Sequence, residues 1–82
     1  MTTDEIAGLI REGLPEASVR VVDEVGDGNH FLAVIVAPLF DGKPLVQRHQ
    51  MVYASLKGAM ADRIHALAIK AYTPDEWARK QA

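Results

Sequence analysis

Cysteine is absent from the 82-residue chain. No disulfide framework can form, which excludes a small secreted fold held by staples. Nor can the chain alone offer a thiolate to a metal. Aromatic residues are scarce, at 6%, so any core must be assembled mostly from Ala, Val, Leu and Ile. A basic excess is missing too: nine Lys and Arg against eleven Asp and Glu give a formal net charge of -2. Sequence-independent nucleic-acid binders usually carry a strong positive excess. The longest run without a charged or strongly polar residue, Phe31 to Phe40, is about half of the ~20 residues a spanning helix needs. No basic-then-apolar leader opens the sequence, so a cytoplasmic location without membrane association is expected.

Signatures of autonomous catalysis are also lacking. There is no cysteine nucleophile, no GxxxxGK phosphate loop and no GxGxxG dinucleotide fingerprint. No Ser/His/Asp sequence signature stands out, although such triads are recognised by geometry. Asp75 and Glu76 are better explained by the positive end of a helix dipole than by acid/base work. The chain is therefore read as a binding module, not an enzyme.

What is present describes one α+β domain over residues 1–82. Hydrophobic residues at 49% and charged residues at 24% are ordinary for a folded chain, and this length supports one core, not two. Thr2 and Glu5 have capping-box spacing, and Ile6, Leu9, Ile10 and Leu14 recur at helical period. A first helix is predicted at about 3–13, ended by Gly13 and Pro15. Valine-rich Ser18 to Val25 reads as a strand, Gly26-Asp27-Gly28-Asn29 as a turn, and His30 to Ala37 as a second strand, apolar on both faces. The short turn implies an antiparallel hairpin. Pro38 to Pro44 reads as a loop. A middle helix follows, its stripe formed by Leu45, His49, Val52, Leu56 and Met60, with Tyr53 beside it. Gln47, Arg48, Gln50 and Lys57 are expected on its wet side. Gly58 should interrupt this helix, leaving a short second piece to about Arg63. Ile64 to Tyr72 alternates as a third strand, with His65, Leu67 and Ile69 on one face. Thr73-Pro74-Asp75-Glu76 then starts a last helix, which Trp77 packs onto the body.

The order is α-β-β-α-(α)-β-α. Helices joining the second and third strands suit a crossover between parallel neighbours. If the strands are adjacent, His30 opens one and His65 the other at the same end of the sheet. Each histidine has two readings. His65 is either a core histidine with a satisfied ring or a metal ligand at a rim; His30 is either a solvated turn residue or the second ligand. His49, on the apolar stripe, is read as structural. For nucleic acid, the helix-strand order resembles KH domains, but glycines at 8, 13, 26, 28, 42 and 58 make no GxxG clamp. Arg48, Lys57, Arg63 and Lys70 would make at most a modest basic patch, more simply read as solvated surface.

Two segments carry a family resemblance. Phe40-Asp41-Gly42-Lys43-Pro44-Leu45-Val46-Gln47-Arg48-His49-Gln50-Met51-Val52-Tyr53 resembles the central motif of the BolA-like family. Arg63-Ile64-His65-Ala66-Leu67-Ala68-Ile69, followed by Tyr72-Thr73-Pro74-Asp75-Glu76-Trp77-Ala78, is similar to its C-terminal part. The Gly26-Asp27-Gly28-Asn29-His30-Phe31 turn looks most like the bacterial IbaG-type branch. The resemblance implies a class II KH-like fold with a three-stranded mixed sheet. It also implies a monothiol glutaredoxin partner and a [2Fe-2S] cluster shared with that glutaredoxin and glutathione, none of it held by the chain alone. The family's metal ligands would fall on His65 and His30. Links to transcriptional control and stress responses come with the family. A DNA-binding alternative would use the middle helix, with Arg48, Lys57 and Lys70 as backbone contacts. By itself the chain is expected to be a monomer or weak homodimer. The chemistry is coherent: a chain without cysteine needs a partner's thiolates to hold iron, and histidine ligation raises the cluster potential. Imidazole binds metal only when deprotonated, so acid should release it.

Overall fold

The computed structural model describes residues 1–28, 30–59 and 66–81. Helix α1 (Thr3–Gly13) leads into strand β1 (Ser18–Asp23), strand β2 (Phe31–Val36) and a 3-10 turn at Pro38–Phe40. Helix α2 (Leu45–Ser55), strand β3 (Leu67–Tyr72) and helix α3 (Pro74–Gln81) complete the chain. The three strands form one mixed sheet in the order β1-β2-β3. β1 runs antiparallel to β2, with Asp23 opposite Phe31. β2 and β3 are parallel, with Phe31 beside Leu67 and Val36 beside Tyr72. This is the expected α+β arrangement, with a crossover through α2 joining parallel neighbours. The helical piece expected up to about Arg63, and residues 64–65 of the expected third strand, lie outside the described residues. Among the described residues no helix is long and apolar enough to cross a membrane.

Local sequence explains most of the boundaries. The Thr2 side chain accepts from the Glu5 amide at 3.1 Å, while Glu5 Oε1 accepts from the Thr2 amide at 2.8 Å. The same reciprocal box opens α3, where Thr73 accepts from the Glu76 amide at 3.1 Å and Glu76 accepts from the Thr73 amide at 2.9 Å. Each box satisfies two amides that a helix start would otherwise leave unpaired. α2 stops where the chain turns left-handed at Lys57 and Gly58, so Gly58 ends the helix as expected. β1 is shorter than predicted. It stops at Asp23, whose carboxylate takes up amides of the following loop.

One face of the sheet carries the core. Ala33 and Ile35 of β2 and Ile6 and Ile10 of α1 have no exposed surface, and Val52 of α2 and Leu56 just after it close over them. Fully burying an aliphatic side chain of this size is worth roughly 1.5–3 kcal/mol, so these residues hold the two helices on the sheet. The helices also cross closely. A Cβ placed on Gly13 would fall 2.5 Å from the Ser55 Cβ and 2.8 Å from its Cα. Gly13→Ala should therefore force α1 and α2 apart at a cost of roughly 1–3 kcal/mol. Urea denaturation measures this, and an unchanged midpoint would show that the contact has slack.

α2 departs from expectation in its rotation. Leu45 is exposed, His49 is only partly buried, and the inward face is Arg48, Val52 and Ser55. Arg48, expected on the wet side, is 7% exposed. Its guanidinium spends its donors inside the protein. Nε donates to the Lys43 carbonyl at 2.8 Å and Nη1 to the Ala71 carbonyl at 3.1 Å. Nη1 and Nη2 grip the Glu76 carboxylate at 2.6 and 3.1 Å, and the Phe40 ring lies 5.9 Å from the guanidinium carbon. A buried charge is tolerable when paired and hydrogen-bonded in this way. Periodicity alone points Arg48 outward because its partner is 28 residues away.

Glu76 bears the electrostatic consequence. The Arg48 hydrogen bonds first, then the Thr73 amide, lower its pKa from 4.5 to about 2. A depressed carboxyl pKa stabilises the fold above the unfolded value and loses that contribution as pH falls towards the folded one. Stability of the parent should thus decline between pH 4.5 and about 2, and Glu76→Gln should lack this component. Thermal midpoints of both chains across that window test the assignment, and parallel curves would refute it.

Candidate functional site

The loop between β1 and β2 is built around one carboxylate. Asp23 Oδ1 accepts from the Gly26 amide at 3.0 Å and Oδ2 from the Gly28 amide at 2.8 Å. Both glycines have positive φ, 76° and 73°, a conformation that other residues adopt only with strain. Across the base of the loop the Glu24 amide donates to the His30 carbonyl at 2.8 Å, extending the hairpin ladder by one bond. His30 is thereby fixed immediately before β2, with 62% of its side chain exposed.

Within this loop His30 Nδ1 lies 3.0 Å from Asp27 Oδ2. An ionised carboxylate has no proton to give, so Nδ1 is the donor and a neutral ring keeps its lone pair on Nε2. Metal-binding histidines are commonly oriented this way: a carboxylate holds one ring nitrogen while the other faces the ion. The spacing signal is simple, an acid three residues before a histidine in a glycine-rich turn, but the turn alone already accounts for Asp27. Asp23, which alternation places simply in a strand, organises the loop.

The β2–β3 pairing puts the beginnings of both strands at one end of the sheet, where Phe31 and Leu67 are partners. His30 precedes the first of these in the chain. His65, two positions before Leu67, lies outside the described residues. Among the described residues no group of three or more His, Cys, Asp or Glu could hold a metal ion. Among the described residues, what this rim offers is one accessible imidazole whose ring is held by Asp27.

The candidate nucleic-acid contacts do not share a surface. Arg48 is committed internally to Glu76, which corrects its expected place on the wet face. Lys57 follows α2 on the helical side of the sheet, whereas Lys70 alternates with the core residues Leu67 and Ala71 and belongs to the opposite face.

Comparison with known proteins agrees with this architecture. A family model described as BolA-like protein matches residues 14–76. Acid stress protein IbaG of Escherichia coli is 46% identical over 80 residues, covering 96% of this chain and 92% of IbaG. The DNA-binding transcriptional regulator BolA of Escherichia coli is 32% identical over 84 residues, covering 94% and 80%. The structure of a BolA protein homologue from Coxiella burnetii superimposes with a TM-score of 0.81 at 44% identity, covering 96% of this chain and 99% of that one. The chain belongs to the BolA-like family. These two relatives carry the names of a stress protein and a transcriptional regulator rather than of enzymes.

The tautomer of His30 is directly measurable. At about pH 8.5, where an ordinary imidazole is neutral, a long-range proton–nitrogen spectrum should show the ring protonated on Nδ1. Asp27→Ala should shift it towards the Nε2-protonated form. An Nε2-protonated ring in the parent would remove Asp27 from this role.

Proposed function

We propose that this protein is a non-enzymatic cytoplasmic adaptor that partners a monothiol glutaredoxin and shares a [2Fe-2S] cluster with it, in iron-sulfur trafficking or in iron and stress sensing. The observation that carries this reading is the Asp27-held imidazole of His30 at the rim where β2 and β3 start side by side. An exposed, oriented histidine with no cysteine anywhere in the chain is half a metal site. Iron-sulfur clusters are held chiefly by thiolates, so the other half must come from a partner, here the glutaredoxin cysteine and glutathione. His65 is assigned as the second imidazole of the chain, from its position just before β3. When bound, the cluster would supply redox or iron-sensing chemistry. This chain would contribute neutral imidazole nitrogens and the loop that holds one of them in place.

Reconstitution tests the proposal. The protein, a monothiol glutaredoxin, glutathione, iron and sulfide should give a visible spectrum distinct from that of the glutaredoxin homodimer. His65→Ala should abolish the difference and His30→Ala should weaken it. If both variants behave like the parent, the ligand assignment is wrong. The DNA-binding reading at the middle helix has less support, because Arg48 is buried and Lys57 and Lys70 belong to different faces.

A further inference from the structure

Among the described residues, no helix is laid across the face of the sheet opposite the core. Ser18, Arg20 and Val22 of β1 and Leu32, Val34 and Val36 of β2 line a shallow cavity of about 420 Å³, walled at one end by Trp77 of α3. α3 buries none of its residues; Trp77 sits at the edge of this face, its ring centroid 5.4 Å from that of Tyr72.

The charged strand residues of this face are both cations, and the acid Glu24 comes next in the same alternation just beyond β1. Arg20 pairs with Val34 in the register, and Val34 with Lys70. The three form a row across the sheet: cation, valine, cation. At about 4.8 Å per strand the two cations stand roughly 10 Å apart, close to the ~10–12 Å diameter of a helix with its side chains. Lys80 adds a third positive charge at the Trp77 end, its Nζ 5.8 Å from the Tyr72 ring centroid. The strand residues of this face carry no acid, although the chain as a whole has a net charge of -2.

The geometry points to this face as a docking surface for an acidic amphipathic helix of a partner protein. The apolar stripe of that helix would lie along Leu32, Val34 and Val36, with its flanking carboxylates reaching Arg20 and Lys70. The other occupants fit less well. A second copy placed face to face would set Arg20 and Lys70 against like charges. Single-stranded nucleic acid stacks successive bases on aromatic platforms; here Trp77 and Tyr72 stand together at one end, and the strip along β2 is aliphatic. The inference does not depend on the metal reading and concerns different residues.

Trp77 is the only tryptophan, so its fluorescence reports occupancy without a label. The probe is a synthetic helix of about 14 residues, roughly 20 Å long, with a leucine stripe flanked by glutamates. Its counterpart replaces every glutamate with lysine. The glutamate peptide should shift Trp77 emission to the blue saturably, and the lysine peptide should not. Arg20→Glu with Lys70→Glu should weaken the glutamate peptide by about tenfold or more, as expected for two reversed charges at an exposed interface, and should admit the lysine peptide instead. Val34→Glu should abolish binding of the glutamate peptide, with circular dichroism verifying the fold. If Val34→Glu fails to fold, the charge swap decides. Equal binding of both peptides, indifference to the charge swap or an unmoved Trp77 would overturn the proposal. So would saturation of the face by single-stranded DNA, by anionic phosphatidylglycerol vesicles or by self-association in preference to the glutamate peptide.

Discussion

A single guanidinium ties together the C-terminal half of the molecule. Arg48 leaves water on the inner side of α2, and its charge must then be met within the protein. The partners come from three places: the Lys43 carbonyl before α2, the Ala71 carbonyl of β3, and the Glu76 carboxylate of α3. Glu76 in turn caps its own helix through the Thr73 amide. One ionic contact thus fixes α2 against β3 and sets where α3 begins. That matters because α3 contributes no buried residue of its own and would otherwise be held mainly by Trp77.

The sheet transmits this order to the candidate site. With α2 and β3 locked, β3 lies parallel to β2 with Phe31 beside Leu67, and the rim next to His30 is built from both strands. On the other side of β2, the hairpin ends in Asp23, whose two carboxylate oxygens gather the Gly26 and Gly28 amides. The loop is short and internally hydrogen-bonded, so the Asp27–His30 contact is made between positions that are already close. An exposed histidine gains little stability from such a contact. Its value is in orientation, since it leaves Nε2 as the nitrogen available to an ion.

Much of the fold was legible because its signals are local. Two capping boxes, a glycine-rich turn and the alternation of valines fix α1, α3 and the hairpin from residues a few positions apart. The parallel β2–β3 pairing followed from the helix between them. Arg48 was illegible for the opposite reason: whether an arginine faces inward depends on an acceptor elsewhere in the fold, and Glu76 already had a sufficient local explanation as a cap. Leu45, the first residue of the expected apolar stripe, stands in the first turn of α2 and is left outside, although Val52 two turns on is fully buried. At the site, His30 was legible as a candidate but Asp27 was not. The turn explains an aspartate there equally well, and only the 3.0 Å contact separates the two roles.

The two faces of the sheet show how a chain this short divides its apolar residues. β2 is apolar on both sides, yet among the described residues the helices that cover it are α1 and α2, and both lie on the same face. Covering the second face would take another long helix, and α3, eight residues long, reaches it through one tryptophan. The cost is partly exposed aliphatic surface on the central strand, which isolated soluble domains keep limited. Arg20 and Lys70 on the flanking strands offset this by setting charge on either side of the strip. The same two residues oppose face-to-face pairing of copies, since like charges placed opposite one another are unfavourable. A surface that resists its own kind while staying apolar at its centre discriminates by charge, and this is the property that makes it selective for an acidic partner.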